Sequence, residues 1–391
     1  MAQQKISSSD IESVANTAIT GNIVSSQITS VANTQLTGVV TSSQLASTAQ
    51  YMGFKNRIIN GGMSIDQRNA GASITPTDGQ FSVDRWKNGL TAASKYSVQQ
   101  VTDAPSGFSN SLLFTSLSAY TIVAGSEFEI FQPVEGFNFY DMAWGTASAK
   151  TVTLSFWVKS SLTGTFGGSI ANGANYSYPF SYTISSANTW EQKSVTIAGP
   201  TGGTWVGATN GTYLQLFISL GAGSSNIGTA GAWTGSFLKG ATGQTNLVAT
   251  NGATLNLTGV QLEVGSQATS FDFRDYGREL ILCQRYYYKL GPATGMDQPF
   301  CNAACYNTTL AFGVLPLPVE MRAFPTVSFT SATTLRLLTG NNGFSSTASA
   351  GSNTLKTAVE IAGTYASLTL GYSGWFRSSA AGDFIAMSAE L

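Results

Sequence analysis

The first fifty residues place isolated apolar side chains in a polar background at a fixed interval. Ile11 opens IESVANTAITGNIVSSQ, Ile28 opens ITSVANTQLTGVVTSSQ, and Leu45 starts the pattern again, a period of 17 residues. Val14 falls in register with Val31, Asn16 with Asn33 and Gly21 with Gly38, while Ile6, Ile23 and Val40 form a further column. The spacing is neither a heptad nor a strict alternation. Each unit reads as a short helical turn (Ser25–Val31) followed by a strand (Gln35–Val40). One chain offers too few apolar residues here to build a core. Parallel copies must therefore pool Ile11, Val14, Ile19, Ile23, Ile28, Val31, Leu36, Val40 and Leu45 into a shared seam, making residues 1–50 a repetitive shaft. The competing reading is a disordered Ser/Thr-rich linker, against which the regular Ile and Val columns argue.

From Tyr51 the pattern shortens towards a period of two. Thr151–Val158 (TVTLSFWV) alternates cleanly. Strand-like runs recur at Lys95–Val101, Leu112–Ser116, Phe128–Phe131, Phe180–Ile184, Glu191–Ile197, Tyr213–Leu220 and Leu255–Leu262, with Gly- and Asn-rich turns between them. Short strands punctuated this way predict a β-sandwich or jelly roll over residues 51–275. A further region, 276–391, opens with the chain's best helix candidate, Tyr276–Cys283. Strands are then expected at Gln284–Leu290, Thr308–Val314, Thr326–Thr330, Leu335–Leu338, Ala366–Leu370 and Phe384–Ala389. Pro316, Pro318 and Pro325 exclude a helix between them. The prediction is all-β: a shaft, a central jelly roll, and a smaller C-terminal β-sandwich head joined by one short helix.

Composition sharpens this picture. Only 10% of the 391 residues are charged, against roughly 25% in ordinary soluble chains. Ser, Thr, Asn and 42 glycines fill the surface positions; such side chains lose little rotamer entropy when chains pack together. A net charge of −1 and the lack of a basic run argue against nucleic-acid binding, which needs clustered Lys and Arg. No apolar stretch reaches the ~18 residues of a membrane span, and the N-terminus MAQQKISSSDIESV shows no secretory signal. Synthesis in the cytoplasm, without membrane insertion, is the expectation.

The sequence contains no histidine. Ser-His-Asp and Cys-His nucleophiles, His-ligated zinc and HExxH proteases are thereby excluded, leaving carboxylate chemistry such as glycoside hydrolysis. Three cysteines (Cys283, Cys301 and Cys305) make a poor disulfide framework, and the Cys301/Cys305 pair makes an incomplete zinc site. Buried reduced thiols are expected, with no metal and no cofactor. GATGQTN (240–246) lacks the Lys-Ser/Thr ending of a phosphate loop. Glu127 and Glu129 share a strand face about 6.5–7 Å apart, a separation compatible with a glycosidase pair, and Glu135 follows them. A solvated face is the commoner meaning of such a cluster.

Aromatic residues in small-residue loops are better site candidates, because a flat ring offers sugars a stacking face and a polar tip. Tyr176 and Tyr178 lie in NGANYSYP, Trp205 in GGTWVG, Trp233 in TAGAWTG and Trp375 in YSGWFR. Packing within the fold or between chains is the alternative for each. Trp86, Trp157 and Trp190 occur in strand-like contexts and are assigned to the core.

Several stretches resemble tail-fibre and appendage proteins of tailed bacteriophages, notably marine and cyanobacterial ones. The repeat IxSVANTxxTG is similar to their shaft repeats. FKNRIINGGMSIDQR (54–68), FSVDRW (81–86), SFWVKSSLTGTFGGS (155–169), SYTISSANTWEQKSVTIAG (181–199), GVQLEVG (259–265) and FDFRDYGRELILCQRYY (271–287) resemble their central domain. VEMRAFPTV (319–327) and MSAEL (387–391) resemble their C-terminal region. At fold level the central unit also resembles jelly-roll carbohydrate-binding modules. The resemblance implies a parallel homotrimer in the virion, joined to tail or capsid proteins through its N-terminal region, with the C-terminal end outward. Host attachment through surface glycans, without enzymatic activity, is the function it implies. A head fibre or tail connector that binds no receptor, and a carboxylate-dependent polysaccharide depolymerase, are the rival readings.

Overall fold

Strand β1 (Lys87–Leu90) opens a run of antiparallel ladders whose inward side chains are almost all apolar. The computed structural model describes residues 54–339, 342–345, 347–351 and 353–391. The shaft residues Ile11 to Leu45 therefore lie outside the described residues. After β1 come β2 (Tyr96–Val101), β3 (Ser111–Ser116), β4 (Glu127–Glu135), β5 (Val152–Ser160) and β6 (Gly164–Ala171). These are followed by β7 (Ser177–Ile184), β8 (Glu191–Ile197), β9 (Thr212–Ala222), the two-residue strands β10 (Ile227–Gly228) and β11 (Gly240–Ala241), and β12 (Thr254–Val264). Ten of them form two five-stranded sheets, ordered β1-β4-β9-β6-β7 and β2-β3-β12-β5-β8, while β10 and β11 pair parallel as a separate two-stranded sheet. Apart from the hairpins β2–β3 and β6–β7, successive strands of the two large sheets cross between them, the arrangement of a jelly roll.

The alternation read from β5 sets its faces. Val152, Leu154, Phe156 and Val158 point into the core with Phe128, Ile130, Leu216 and Ile218 of the opposing sheet. Thr153, Ser155, Trp157 and Lys159 take the other face by the period-two rule. Thr153 and Ser155 are nevertheless buried, as are Thr258 and Gln261 of β12. Chain from either end of the jelly roll crosses this face: Asn56 donates to the Val260 carbonyl at 3.0 Å, and Gln261 donates to that of Ser270 at 3.2 Å. Gly61 passes so close that a Cβ would overlap the Val260 carbonyl oxygen, so only glycine fits.

Helix α1 (Tyr276–Gln284) begins where Asp275 accepts the Arg278 amide at 2.9 Å, an N-cap. Cys283 and Tyr286 pack with Ile59 and Ile65 in a small core of their own. Ten further strands follow. They are β13 (Tyr287–Leu290), β14 (Pro299–Cys305), β15 (Leu310–Pro316), β16 (Thr326–Phe329) and β17 (Leu335–Thr339), then β18 (Asn342–Ser345), β19 (Thr347–Ala350), β20 (Ala358–Thr364), β21 (Ser373–Ser378) and β22 (Ile385–Ser388). They build a three-stranded sheet, β13-β22-β16, and a seven-stranded sheet, β18-β17-β21-β14-β15-β20-β19, with a second core around Leu335, Leu337, Ile361, Phe376 and Met387. Ala366–Leu370 is not a strand. The chain instead pairs at Ala358–Thr364 and Ser373–Ser378 on either side of it.

Charged groups knit the two sandwiches together. Buried Glu135 accepts from Arg285 at 2.5 and 3.0 Å and from the Tyr286 hydroxyl at 2.5 Å. Glu390 is held by Arg68 at 2.6 Å and by Arg85. Arg322 donates to the Asn210, Ala389 and Glu390 carbonyls at 2.7–2.9 Å. Among the described residues no helix is long and apolar enough to cross a membrane.

Candidate functional site

Loops between sheet strands converge at one end of the jelly roll. The turn from β6 to β7 is closed by Asn172, whose Oδ1 accepts the Ala174 and Tyr176 amides, both at 3.0 Å. Its Nδ2 donates to the Thr204 carbonyl at 3.0 Å, fixing the β8–β9 loop against the same turn. Within that loop Gly203 has φ +85°, and a Cβ there would stand 2.9 Å from the Tyr176 ring. The β10–β11 connection is tied down by reciprocal backbone bonds between Ser177 and Thr234, at 3.1 and 2.9 Å.

This scaffold brings Tyr176, Tyr178, Trp205 and Trp233 together. Tyr176 lies flat on Trp233, centroids 5.4 Å apart and planes 8° from parallel. Tyr178 meets the same indole at 5.4 Å, and Trp205 stands edge-on to it at 5.9 Å. Tyr178 is buried, whereas Tyr176, Trp205 and Trp233 are half-buried. Beneath them Trp144, buried, contacts Trp205 at 5.0 Å and Trp233 at 5.3 Å, both near perpendicular. Phe139 and Tyr213 continue the cluster into the main core. Burial pushes the Tyr213 hydroxyl up to about 12. Trp144 was not among the sequence candidates, although the nearby glycine in AWGT gives it the same small-residue setting as Trp205.

The indole N–H groups are satisfied within the protein. Trp144 donates to the Lys150 carbonyl at 2.8 Å, Trp205 to Gly202 at 3.1 Å and Trp233 to Ala198 at 2.8 Å. The rings are thus fixed in orientation, and the half-buried Tyr176, Trp205 and Trp233 keep part of their surface exposed. Residues 172–178, 198–211 and 229–238 carry no Asp, Glu, Lys or Arg. The surface is braced by internal hydrogen bonds, aromatic and uncharged.

Trp375 is placed differently. The expected loop is strand β21, where Trp375 pairs with Asn302 on one side and Leu338 on the other. The small residues around it, Ser373 and Gly374, are those that let neighbouring backbone approach. Trp375 is 45% exposed and borders a hollow of about 290 Å³ with Asn302, Ala303, Ser373 and Gly374. The Arg377 guanidinium stands 5.4 Å from its ring. Of the tryptophans assigned to the core, Trp86 is buried. Trp157 and Trp190 are half-buried, and Trp190 donates to Asp103 at 3.3 Å beside Lys159.

The carboxylate cluster is not a solvated face. Glu129 and Glu135 are buried. Lys239 bridges Glu127 at 2.5 Å and Glu129 at 3.0 Å, pinning the β10–β11 connection to β4. Burial pushes the Glu129 carboxyl up to about 7 against the pull of Lys239. Both carboxylates share the Lys239 ammonium, and Glu135 is bound by Arg285 and Tyr286. Asp84 accepts the Gln67 amide at 2.8 Å from a fully buried position. Burial raises its carboxyl to about 7, opposed by Arg68.

Cys283, Cys301 and Cys305 are free thiols, the first and last buried and Cys301 half-buried. Cys301 and Cys305 sit four residues apart on β14, about 13 Å along a strand, a separation too wide for one metal ion. Burial pushes the Cys301 thiol up to about 12.

No protein-family model matches this chain, and no curated protein matches it. Solved structures are similar over about half of it. The enzymatically active domain of tailspike protein 4 of bacteriophage CBA120 is 15% identical with a TM-score of 0.29, covering 54% of this chain and 21% of the tailspike chain. A putative sugar binding protein from Bacteroides thetaiotaomicron is 10% identical with a TM-score of 0.33, covering 54% of this chain and all of its own. TmCBM61, solved in complex with beta-1,4-galactotriose, is 12% identical with a TM-score of 0.28, covering 54% of this chain and 99% of its own. The chain thus spans about a fifth of the tailspike it resembles.

Proposed function

We propose that this chain is a fibre protein of a tailed-phage virion that binds host surface glycans through the aromatic surface of Tyr176, Trp205 and Trp233. The observation that carries the reading is the convergence of four separately chosen aromatics on one loop-built surface, with rings pre-oriented by internal hydrogen bonds. Pre-organised rings lose little entropy on binding, and the absence of charge in the three loops suits a neutral saccharide. In this reading the protein is a homotrimer joined to tail or capsid proteins through its N-terminal region, and three copies turn weak sites into avidity. It is not an enzyme.

The test is a glycan-array and host-polysaccharide binding measurement on the full chain, comparing wild type with Trp233→Ala and Trp233→Phe. Trp233→Ala should weaken binding by at least about tenfold, of the order of one or two stacking contacts, with Trp233→Phe between. Equal binding by all three would remove the aromatic surface as the contact. Release of reducing sugar from the same polysaccharides would favour a depolymerase instead. A purely structural appendage has one observation on its side: the Trp233 N–H ties the β10–β11 connection to Ala198 in the β8–β9 loop. Failure of wild type to bind any host glycan, with the protein located on the virion by labelling, would favour that reading.

A further inference from the structure

Large apolar side chains stand exposed on both sides of the segment that enters the jelly roll at Phe54. Phe54, Phe137, Tyr140, Phe273 and Tyr276 are each between 39% and 64% exposed. Two arginines fasten these groups to the entering segment. Arg57 lies 4.1 Å from the Phe54 ring centroid, donates to the Asn138 carbonyl at 2.9 Å and pairs with both oxygens of Asp141 at 2.8 Å, holding the Phe137–Tyr140 arm on one side. Arg274 donates to the carbonyls of Asn56 and Ile58, and Asp272 accepts the Asn56 amide at 3.2 Å, holding the Phe273–Tyr276 arm on the other. Phe273 and Tyr276 also border a cavity of about 270 Å³. Exposed aromatics grouped on both flanks of one segment fit an interaction surface, and aromatic residues are enriched where chains meet.

We infer that this aromatic collar is a contact between copies of this chain. The inference rests on the parallel assembly proposed above and adds where the folded part takes part in it. The argument for a second copy as occupant comes from the chain that precedes Phe54. Its 17-residue repeats have apolar columns without a core, and parallel copies sharing that seam in register bring every copy of residue 54 to one level. Contacts around a three-fold axis are heterologous, so one flank of Phe54 on each copy would meet the other flank on the next. A partner held there by the seam meets the collar at high effective concentration.

The experiment uses the full-length chain in sedimentation equilibrium, with hydroxyl-radical footprinting of wild type. Phe273→Arg/Tyr276→Arg and Phe137→Arg/Tyr140→Arg test the two arms. Val314→Arg/Leu370→Arg is the control, at exposed apolar positions elsewhere. Wild type should sediment at three chain masses. Both arm variants should dissociate at concentrations at least tenfold higher, the control should not, and Phe273 and Tyr276 should be protected from radicals relative to Leu370. A monomeric wild type would overturn the assembly reading and this inference with it. A trimeric wild type whose arm variants dissociate no more readily than the control, or whose Phe273 and Tyr276 react as fast as Leu370, would overturn the inference and leave the assembly standing.

Discussion

Trp233 and Trp375 look alike in sequence, each an aromatic among Gly, Ser, Thr and Ala, yet they belong to different physical objects. Around Trp233, three loops of the jelly roll converge, and the indole is sandwiched by Tyr176, Tyr178, Trp205 and Trp144. Trp375 occupies the middle of a seven-stranded sheet and makes no ring-to-ring contact among the described residues. The small residues serve opposite ends. Near Trp233 they let loops fold over one another, as Gly203 does against Tyr176. Near Trp375 they let strands pair. A flexible-looking composition therefore does not identify a loop; the number of chain segments that converge on it decides.

The comparison breaks most visibly at Trp144. If the cluster is one packed unit, Trp144→Ala should cost about 3–5 kcal/mol, the range for a buried large aromatic, and abolish glycan binding together with stability. Thermal and denaturant unfolding of the full chain would measure it. A loss under about 1 kcal/mol would show that the loops hold the rings without help from the core.

The uncharged cluster also contrasts with the charged junction between the sandwiches. Asp84 has its folded-state pKa raised from 3.8 to about 7, chiefly by burial, with Glu390 and Asp66 adding to the rise and Arg68 opposing it. The native state therefore holds that proton more tightly than the unfolded chain. Asp84's contribution to stability is fully present below about pH 4 and is lost as pH rises to about 7. Asp84→Asn removes this slope. Its melting temperature relative to wild type should rise by ~several degrees between pH 4 and 7, while glycan affinity of both proteins stays flat from pH 5 to 8. A difference that falls over that interval would mean Asp84 is stabilised as the anion.

Asn172 tests whether geometry or mere proximity makes the surface. Its side chain bonds the β6–β7 turn twice and the β8–β9 loop once. Asn172→Ala should cost about 1–3 kcal/mol, the cost of leaving such groups unpaired, and loosen Tyr176 from Trp233. Near-ultraviolet circular dichroism would register the lost ring coupling, with binding reduced severalfold. Unchanged dichroism would show that ring packing positions the loops, not the reverse.

Much of the fold was legible because its strands obey the two-residue period. Glu191–Ile197 was read to the residue, and Thr151–Val158 lies within one residue of β5 at its start. What escaped was strand without alternation. Gly164–Ala171 (GTFGGSIA) is rich in glycine and Pro299–Cys305 (PFCNAAC) mixes small residues with one Phe, and their neighbouring strands make them pair. The site was legible as a set of rings but not as a cluster, since contacts across 144, 176, 205 and 233 depend on jelly-roll topology. Glu129 and Glu135 were misread for the same reason: a strand face is solvated only if nothing crosses it, and Lys239, Arg285 and Tyr286 do. The shaft seam from Ile11 to Leu45 falls outside the described residues.

The smallest effect is predicted for Trp375→Ala. About half of the side chain is already in water, its ring has no aromatic neighbours among the described residues, and its backbone pairing survives truncation. The stability change should be about 1 kcal/mol or less, scaling the burial of a large side chain by the fraction covered. As a glycan platform it offers one face beside Arg377 and a hollow of about 290 Å³. One stacking contact is worth ~1 kcal/mol, about fivefold in affinity. Binding of the full-length variant to host cells should therefore fall by no more than about fivefold, and by less than for Trp233→Ala. The reverse order, with Trp375→Ala nearly abolishing adsorption and Trp233→Ala sparing it, would move the primary contact to the C-terminal sheets. It would also mean that a lone ring in a flat sheet, multiplied over several copies, outperforms a built cluster.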